Sequence, residues 1–303
     1  MRRLSFLLAA LALMLVSFGG HVTTLQAGDT EPAWSLRFWQ WFVPWSELQG
    51  GHFFEMTHRQ LGAIVGIVTI GLVVVLRLWE SRARVRWLGY GVLGLVVVQG
   101  LLGGLRVHVV SNPELQTALM NDLGLSDPDT LRVWAGMIHA NLGLILFALL
   151  SVLVTVQTVS WRASPMPVRA RMYAGLKILS GIGALALVIQ VAMGAWLRHG
   201  GWSTGIILFH VFGALIVTGG VVGIAMLAFG LDKALSAIRL ISFTMLAVVQ
   251  VQLILGVVAF AVPQWAGTQT LHHVTGALLF ALGAVVWVRV RHDIKPDAAY
   301  EKS

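Results

Sequence analysis

The chain has 303 residues, of which 57% are hydrophobic and only 11% are charged. A soluble domain carries about 25% charged residues, so this composition indicates an integral membrane protein. The net charge is +8, but the positive residues are distributed as a topology signal and do not indicate a nucleic-acid partner. The sequence contains no cysteine, which excludes disulfides, iron–sulfur ligation and thiolate catalysis.

Eight apolar runs follow one another along the chain, and crossing a bilayer as a helix takes about 20 such residues. The runs are residues 4–20, 56–78, 87–106, 135–159, 173–197, 204–229, 237–262 and 270–290. Lipid cannot satisfy an open backbone, so each run is expected to be helical. The predicted fold class is an all-α membrane protein with eight transmembrane helices.

The first run has a second interpretation. Met1-Arg2-Arg3 followed by an apolar stretch also resembles a secretory signal peptide, with a weak cleavage site after Ala27. We expect the run to be retained as the first span, because the internal repeat described below requires it.

Most of the 21 lysine and arginine residues lie at one set of helix ends. They flank both termini and the loops after the second, fourth and sixth spans. Positive residues accumulate on the cytoplasmic side, so we expect a multi-pass protein of the cell membrane with both termini in the cytoplasm. The tryptophan-rich outer segment 34–45 is expected to lie along the membrane interface.

The sequence shows signs of an internal duplication. The third, fifth and seventh spans share a Gln-x-x-x-Gly pattern near their outer ends, at Gln99–Gly103, Gln190–Gly194 and Gln252–Gly256. The first span ends in Gly19-Gly20 at the equivalent place. We therefore predict two pseudo-symmetric four-helix bundles in parallel repeat, an N-terminal half at residues 1–160 and a C-terminal half at 161–303.

Each even-numbered span carries a histidine about one turn from its outer end: His58, His139, His210, and His272 or His273. A single histidine there is more often a capping or interfacial residue, but an ionisable residue inside a membrane indicates function. Four at one depth favour metal binding. Facing helices can each offer one imidazole to a flat macrocycle, so we predict two pairs of axial haem ligands near the outer face.

The eighth span leaves the ligand open. Adjacent residues of a helix point about 100° apart, so only one of His272 and His273 can face a given haem. His272 shares the spacing His-x-x-x-Gly-Ala with His58, whereas His273 shares His-x-x-Gly-Ala-Leu with His210. We favour His272, so the predicted metal ligands are His58, His139, His210 and His272.

Glu55 lies three residues before His58, so both side chains can share one helix face. A carboxylate there can accept a proton, stabilise a cationic intermediate or orient the histidine. It can equally be a helix-terminal residue favoured by the helix dipole, and the spacing leaves both interpretations open. Arg59, Arg106 and Arg198 can pair with haem propionates, but we expect them to anchor at lipid headgroups.

These features together resemble the haem A synthase family. The resemblance rests on Glu55-Met-Thr-His58-Arg59, the histidines that open the other even spans, the Gln-x-x-x-Gly patterns and the duplicated plan. It implies an enzyme that oxidises the C8 methyl group of haem O to the formyl group of haem A for terminal oxidase assembly. Many members carry paired cysteines in their outer loops, and this chain departs from that pattern.

The resemblance also implies roles for individual residues. His58 and His139 would bind the substrate haem O beside a catalytic Glu55. A haem b cofactor would be bound by His210 with His272 or His273. Haem O synthase, terminal oxidase assembly factors and an unidentified electron partner are the implied partners, in addition to membrane lipid.

Two other functions fit the same histidines. A bis-haem membrane cytochrome b would use them in quinol-linked electron transfer, and a haem-binding protein would use them in haem handover. Pairs at one depth argue against the cytochrome, because transfer across the membrane would need haems at two depths.

Overall fold

The structure, a computed structural model, describes residues 1–28, 30, 43–110, 112–127, 129–162 and 164–297. Within them the chain forms nine α-helices: α1 (Arg2–Thr24), α2 (Gly50–Trp79), α3 (Ala83–Val110), α4 (Pro113–Leu123), α5 (Asp129–Val156), α6 (Ala170–His199), α7 (Thr204–Phe229), α8 (Ser236–Ala261) and α9 (Ala266–Asp293). All but α4 are long and apolar enough to cross a membrane, which confirms the predicted all-α fold with eight spans. Most of segment 34–45 lies outside the described residues.

Helix α4 was not predicted, because the third and fourth spans were expected to be joined by a loop. The residues at its two ends are typical of a helix start and a helix end. The Asn112 side chain accepts a hydrogen bond from Leu115 N at 3.1 Å, and Pro113 occupies the first turn. Gly124 ends the helix with a φ of 65°, a left-handed conformation that glycine adopts without strain.

The membrane helices pack as two groups of four. In the first, α1 and α3 each contact α2 and α5; in the second, α6 and α8 each contact α7 and α9. The groups meet where α9 contacts α1 and α5, and where α5 contacts α6. The predicted halves, 1–160 and 161–303, and their pseudo-symmetry stay predictions.

Helix α1 is packed as part of this bundle. Leu8 is fully buried and Ala12 nearly so. Ser5 and Gln157 are also buried, and they hydrogen-bond to each other through Ser5 Oγ and the Gln157 side-chain amide at 3.0–3.2 Å. Helix α1 is thus part of the first group, and its retention as the first span stays a prediction.

Polar contacts tie the two groups together at the bundle end away from the histidines. Strand β1 (Met166–Val168) pairs in parallel with β2 (Ile294–Pro296). The buried Arg289 donates to Asp293 Oδ2 at 2.9 Å and to Thr158 Oγ1 at 2.8 Å. The segment that joins the groups is therefore held against the end of α9.

A second arginine closes the turn between α2 and α3. Arg82 donates to both Glu80 carboxylate oxygens and to Val156 O at 2.7 Å. Hydrogen bonding to Glu80 raises the pKa of Arg82. The guanidinium thereby links this turn to the end of α5.

Two histidine pairs and a buried carboxylate

The structure brings the predicted histidines together as two pairs. His58 on α2 and His139 on α5 have ring centroids 6.4 Å apart and ring planes 71° apart. His210 on α7 and His272 on α9 have centroids 6.2 Å apart and planes 70° apart. The two pairs thus have nearly the same geometry, although they lie on different helices.

This geometry fits a haem at each pair. Two imidazoles that bind one metal ion from opposite sides, each with a nitrogen at about 2 Å, have ring centroids roughly 6 Å apart. In the described part of the chain, no three histidine, cysteine, aspartate or glutamate side chains cluster closely enough to hold a metal ion. Two facing imidazoles are the donor set that a haem iron needs, because the macrocycle supplies its other ligands.

Every paired imidazole packs against a glycine on a neighbouring helix. We call these four residues the ring-seating glycines. A Cβ atom built on each glycine would lie close to the ring Cε1 atom of its histidine. The distance is 2.7 Å for Gly19 and His58, 3.6 Å for Gly103 and His139, 3.3 Å for Gly194 and His210, and 3.0 Å for Gly256 and His272. The repeated glycine therefore has a physical role, because it leaves room for the ring.

The repeated glutamines contact the same histidines. Gln99 Nε2 donates to His139 O at 2.8 Å, and Gln190 Nε2 donates to His210 O at 2.9 Å. Gln190 Nε2 also lies 3.2 Å from His210 Nδ1. Each glutamine thus links its helix to the first turns of the next span and limits how the histidine-bearing helix can rotate.

The third glutamine adopts a different arrangement. Gln252 Nε2 lies 3.3 Å from His272 Nε2, and the Thr275 hydroxyl donates to Gln252 Oε1. The backbone oxygen of Gln252 lies 3.2 Å from His272 Nδ1. In α1 the equivalent position is Leu15, whose backbone oxygen lies 3.1 Å from His58 Nδ1. Sequence reasoning used the three glutamines only to align the repeat, and it missed the contacts that they and Leu15 make with the histidines.

The structure also separates the two candidate histidines of α9. His272 faces His210, whereas His273 lies against α1, with its Cδ2 atom 3.1 Å from the position of a Cβ on Gly20. The geometry therefore pairs His210 with His272 and places His273 in a different environment.

Glu55 is buried beside the first pair, with 4% of its surface exposed. Arg59 Nη2 donates to Glu55 Oε1 at 2.7 Å, and the Thr30 hydroxyl donates to the other carboxylate oxygen. The Arg59 side chain is only 8% exposed, so the expected headgroup anchoring is wrong for this residue. Burying a carboxylate is costly unless it is paired and hydrogen-bonded, and Arg59 and Thr30 meet that requirement.

The expectation of headgroup anchoring is also wrong for Arg198. Its guanidinium donates to Gly20 O and Thr24 Oγ1, and lies 3.5 Å from Gln269 O. Arg198 therefore joins α6 to α1 and α9 inside the bundle. Arg106 packs against Gly28 and lies within electrostatic reach of His58 and His139.

Comparison with known protein families identifies the first two thirds of the chain. Residues 2–203 match the COX15-CtaA family, described as cytochrome oxidase assembly protein. The match includes Glu55, His58 and His139 and ends just before α7, so His210 and His272 lie beyond it. No curated protein matches the chain. Because the match covers about two thirds of its length, the chain belongs to the COX15-CtaA family of cytochrome oxidase assembly proteins.

Proposed function

We propose that this protein is a haem A synthase, which oxidises the C8 methyl group of haem O to the formyl group of haem A. One observation carries the proposal. The two histidine pairs have nearly equal geometry, but only the first has an acid in the turn before its histidine, namely the buried Glu55. The equivalent positions before His210 and His272 are Ile207 and Gln269. Membership of a cytochrome oxidase assembly family supports the same function.

On the basis of this asymmetry we assign different roles to the two pairs. Under the proposal, His58 and His139 bind the substrate haem O, with Glu55 next to it. His210 and His272 bind a haem b cofactor, which supplies one-electron transfer when bound. His273 faces α1 and is not a ligand in this assignment.

The reaction needs a group that accepts protons. With water as the oxygen donor, conversion of a methyl to a formyl group releases four protons and four electrons, and the electrons leave to an acceptor outside the protein. Glu55 accepts protons at the site, and its ion pair with Arg59 offsets the cost of burying its charge. The Thr30 hydroxyl holds the second carboxylate oxygen in place.

Pigment extraction tests the function. The protein is purified from cells that also contain a haem O synthase, and haems O, A and b are separated by chromatography. We expect haem A and haem b from the wild type. Glu55→Gln should keep both haem sites but lower haem A by at least about 100-fold, the usual contribution of a proton-transfer group. Glu47→Gln, at an exposed position, is the matched control and should leave haem A unchanged.

A normal haem A yield from Glu55→Gln would remove this residue from the mechanism. The similarity of the two pairs favours one alternative, a bis-haem cytochrome b, which predicts haem b alone at two equivalents. Haem handover predicts bound haem O that is never converted. Interaction with haem O synthase or with oxidase assembly factors is a further part of the proposal, and co-purification of such a partner would support it.

A further inference from the structure

Three basic side chains meet near the second histidine pair. Arg198 and His199 end α6, and His273 lies on α9 next to His272. Arg198 is within electrostatic reach of His199, His272 and His273. Gly20 of α1 contacts two of the three, because its backbone oxygen accepts from Arg198 and it packs against the His273 ring.

The hydrogen-bond partners of Arg198 in the described residues are all neutral. They are the backbone oxygens of Gly20 and Gln269 and the hydroxyl of Thr24. A partly buried cation is normally paired with an anion, and no carboxylate hydrogen-bonds to Arg198 within the described part of the chain. The planar guanidinium is well suited to bind a carboxylate through two parallel hydrogen bonds.

His199, next to Arg198 in the chain, has a polar atom without a hydrogen-bond partner in the described residues. Its Nε2 atom is buried and has no hydrogen-bond partner in the described ranges. The ring is held against α5, where its Nδ1 atom lies 2.6 Å from the position of a Cβ on Gly136. A fixed ring with an unsatisfied nitrogen beside a cation is a further group that an anion can satisfy.

We propose that Arg198, with His199 and His273, binds a propionate carboxylate of the haem held by His210 and His272. Haem carries two propionates at one edge of its macrocycle, and the cluster lies beside the pair, because His273 directly follows His272 and Arg198 is within electrostatic reach of His272. The inference rests on haem binding at the second pair, which is part of the proposed function. Arg198 is then a cofactor-binding residue that also attaches α1 to the site.

Esterified haem provides the test. The protein carries His58→Ala and His139→Ala, so that only the second pair can bind haem. It is stripped of haem in a neutral detergent without anionic lipid. It is titrated with iron protoporphyrin IX and with its dimethyl ester, and the Soret band reports binding. We expect the free acid to bind at least about tenfold more tightly, the usual effect of a charge-assisted hydrogen bond.

Arg198→Gln should abolish this preference while affinity for the ester changes little. Arg198→Lys keeps the charge, tests the site if the glutamine variant does not fold, and should retain part of the preference. Arg132→Gln is the control, because Arg132 is an exposed arginine paired with Asp129 at 3.3 Å, and it should keep the full preference.

Equal affinities for acid and ester in the starting protein would overturn the inference. A preference that survives both Arg198 substitutions in full would also overturn it, because the selectivity for the acid would then not come from this guanidinium. Absence of any Soret change with either compound would instead refute haem binding at the second pair, and with it that part of the proposed function.

Discussion

Alanine at the ring-seating glycines should weaken the histidine pairs in an order that the contact distances set. At the first pair, a Cβ on Gly19 would lie 2.7 Å from His58 Cε1, whereas one on Gly103 would lie 3.6 Å from His139 Cε1. Carbon atoms pack best at about 3.5–4.0 Å. The His58 ring must therefore move in Gly19→Ala, while the His139 ring can stay in place in Gly103→Ala.

The second pair should show the same ordering with a smaller difference. A Cβ on Gly256 would lie 3.0 Å from His272 Cε1, and one on Gly194 would lie 3.3 Å from His210 Cε1. Overpacking of this kind costs about 1–3 kcal/mol. We expect haem affinity to fall about 100-fold in Gly19→Ala, about tenfold in Gly256→Ala, less in Gly194→Ala and hardly at all in Gly103→Ala.

Haem titration of the purified variants, read from the Soret band, measures this order. Gly91→Ala is the control, because Gly91 lies more than three turns from Gly103 on α3 and a Cβ there would meet nothing within 4 Å. It should bind haem normally and gain up to about 1 kcal/mol from better helix propensity. A loss in Gly103→Ala as large as that in Gly19→Ala would refute the steric explanation.

Two further predictions concern the remaining polar contacts. Gln190→Leu removes the donor to His210 O, so it should lower the free energy of unfolding by about 1 kcal/mol and reduce haem at the second pair; an unchanged melting temperature and haem content would contradict this role. Arg289→Ala leaves the carboxylate of Asp293 without its arginine partner at the other end of the bundle. It should cost about 3 kcal/mol or more in thermal unfolding, whereas Lys295→Ala, at an exposed position, should cost little.

The sequence predicted the parts of this fold that depend on one helix at a time. Apolar run length was enough to locate all eight spans, because burial in lipid requires a helix of that length. Matched depth singled out His58, His139 and His210, which the structure places in ring pairs, and their role as ligands stays a prediction. Apolar run length does not predict helix α4, because this helix has only 11 residues and is too short to cross a membrane. Asn112, Pro113 and Gly124 nevertheless mark its ends.

Contacts between helices were not predictable in the same way, because they depend on how each helix is rotated about its axis. Arg59 and Arg198 were expected at the headgroups, yet both turn inward. The choice between His272 and His273 also depends on rotation, and the structure separates them by placing His210 on one side of α9 and Gly20 on the other.

Helix α1 contacts the first histidine pair and also Arg198 and His273 beside the second, although its sequence alone is compatible with a signal peptide. Gly19 and Gly20 are adjacent, so their Cα–Cβ directions differ by about 100° and they face different neighbours. Gly19 seats His58, while Gly20 lies against His273 and accepts from Arg198. Leu15 adds the backbone oxygen beside His58 Nδ1. A chain that lost α1 would lose the seat of one proposed ligand and two acceptors of Arg198, Gly20 O and Thr24 Oγ1, so both haem sites should depend on retention of the first span.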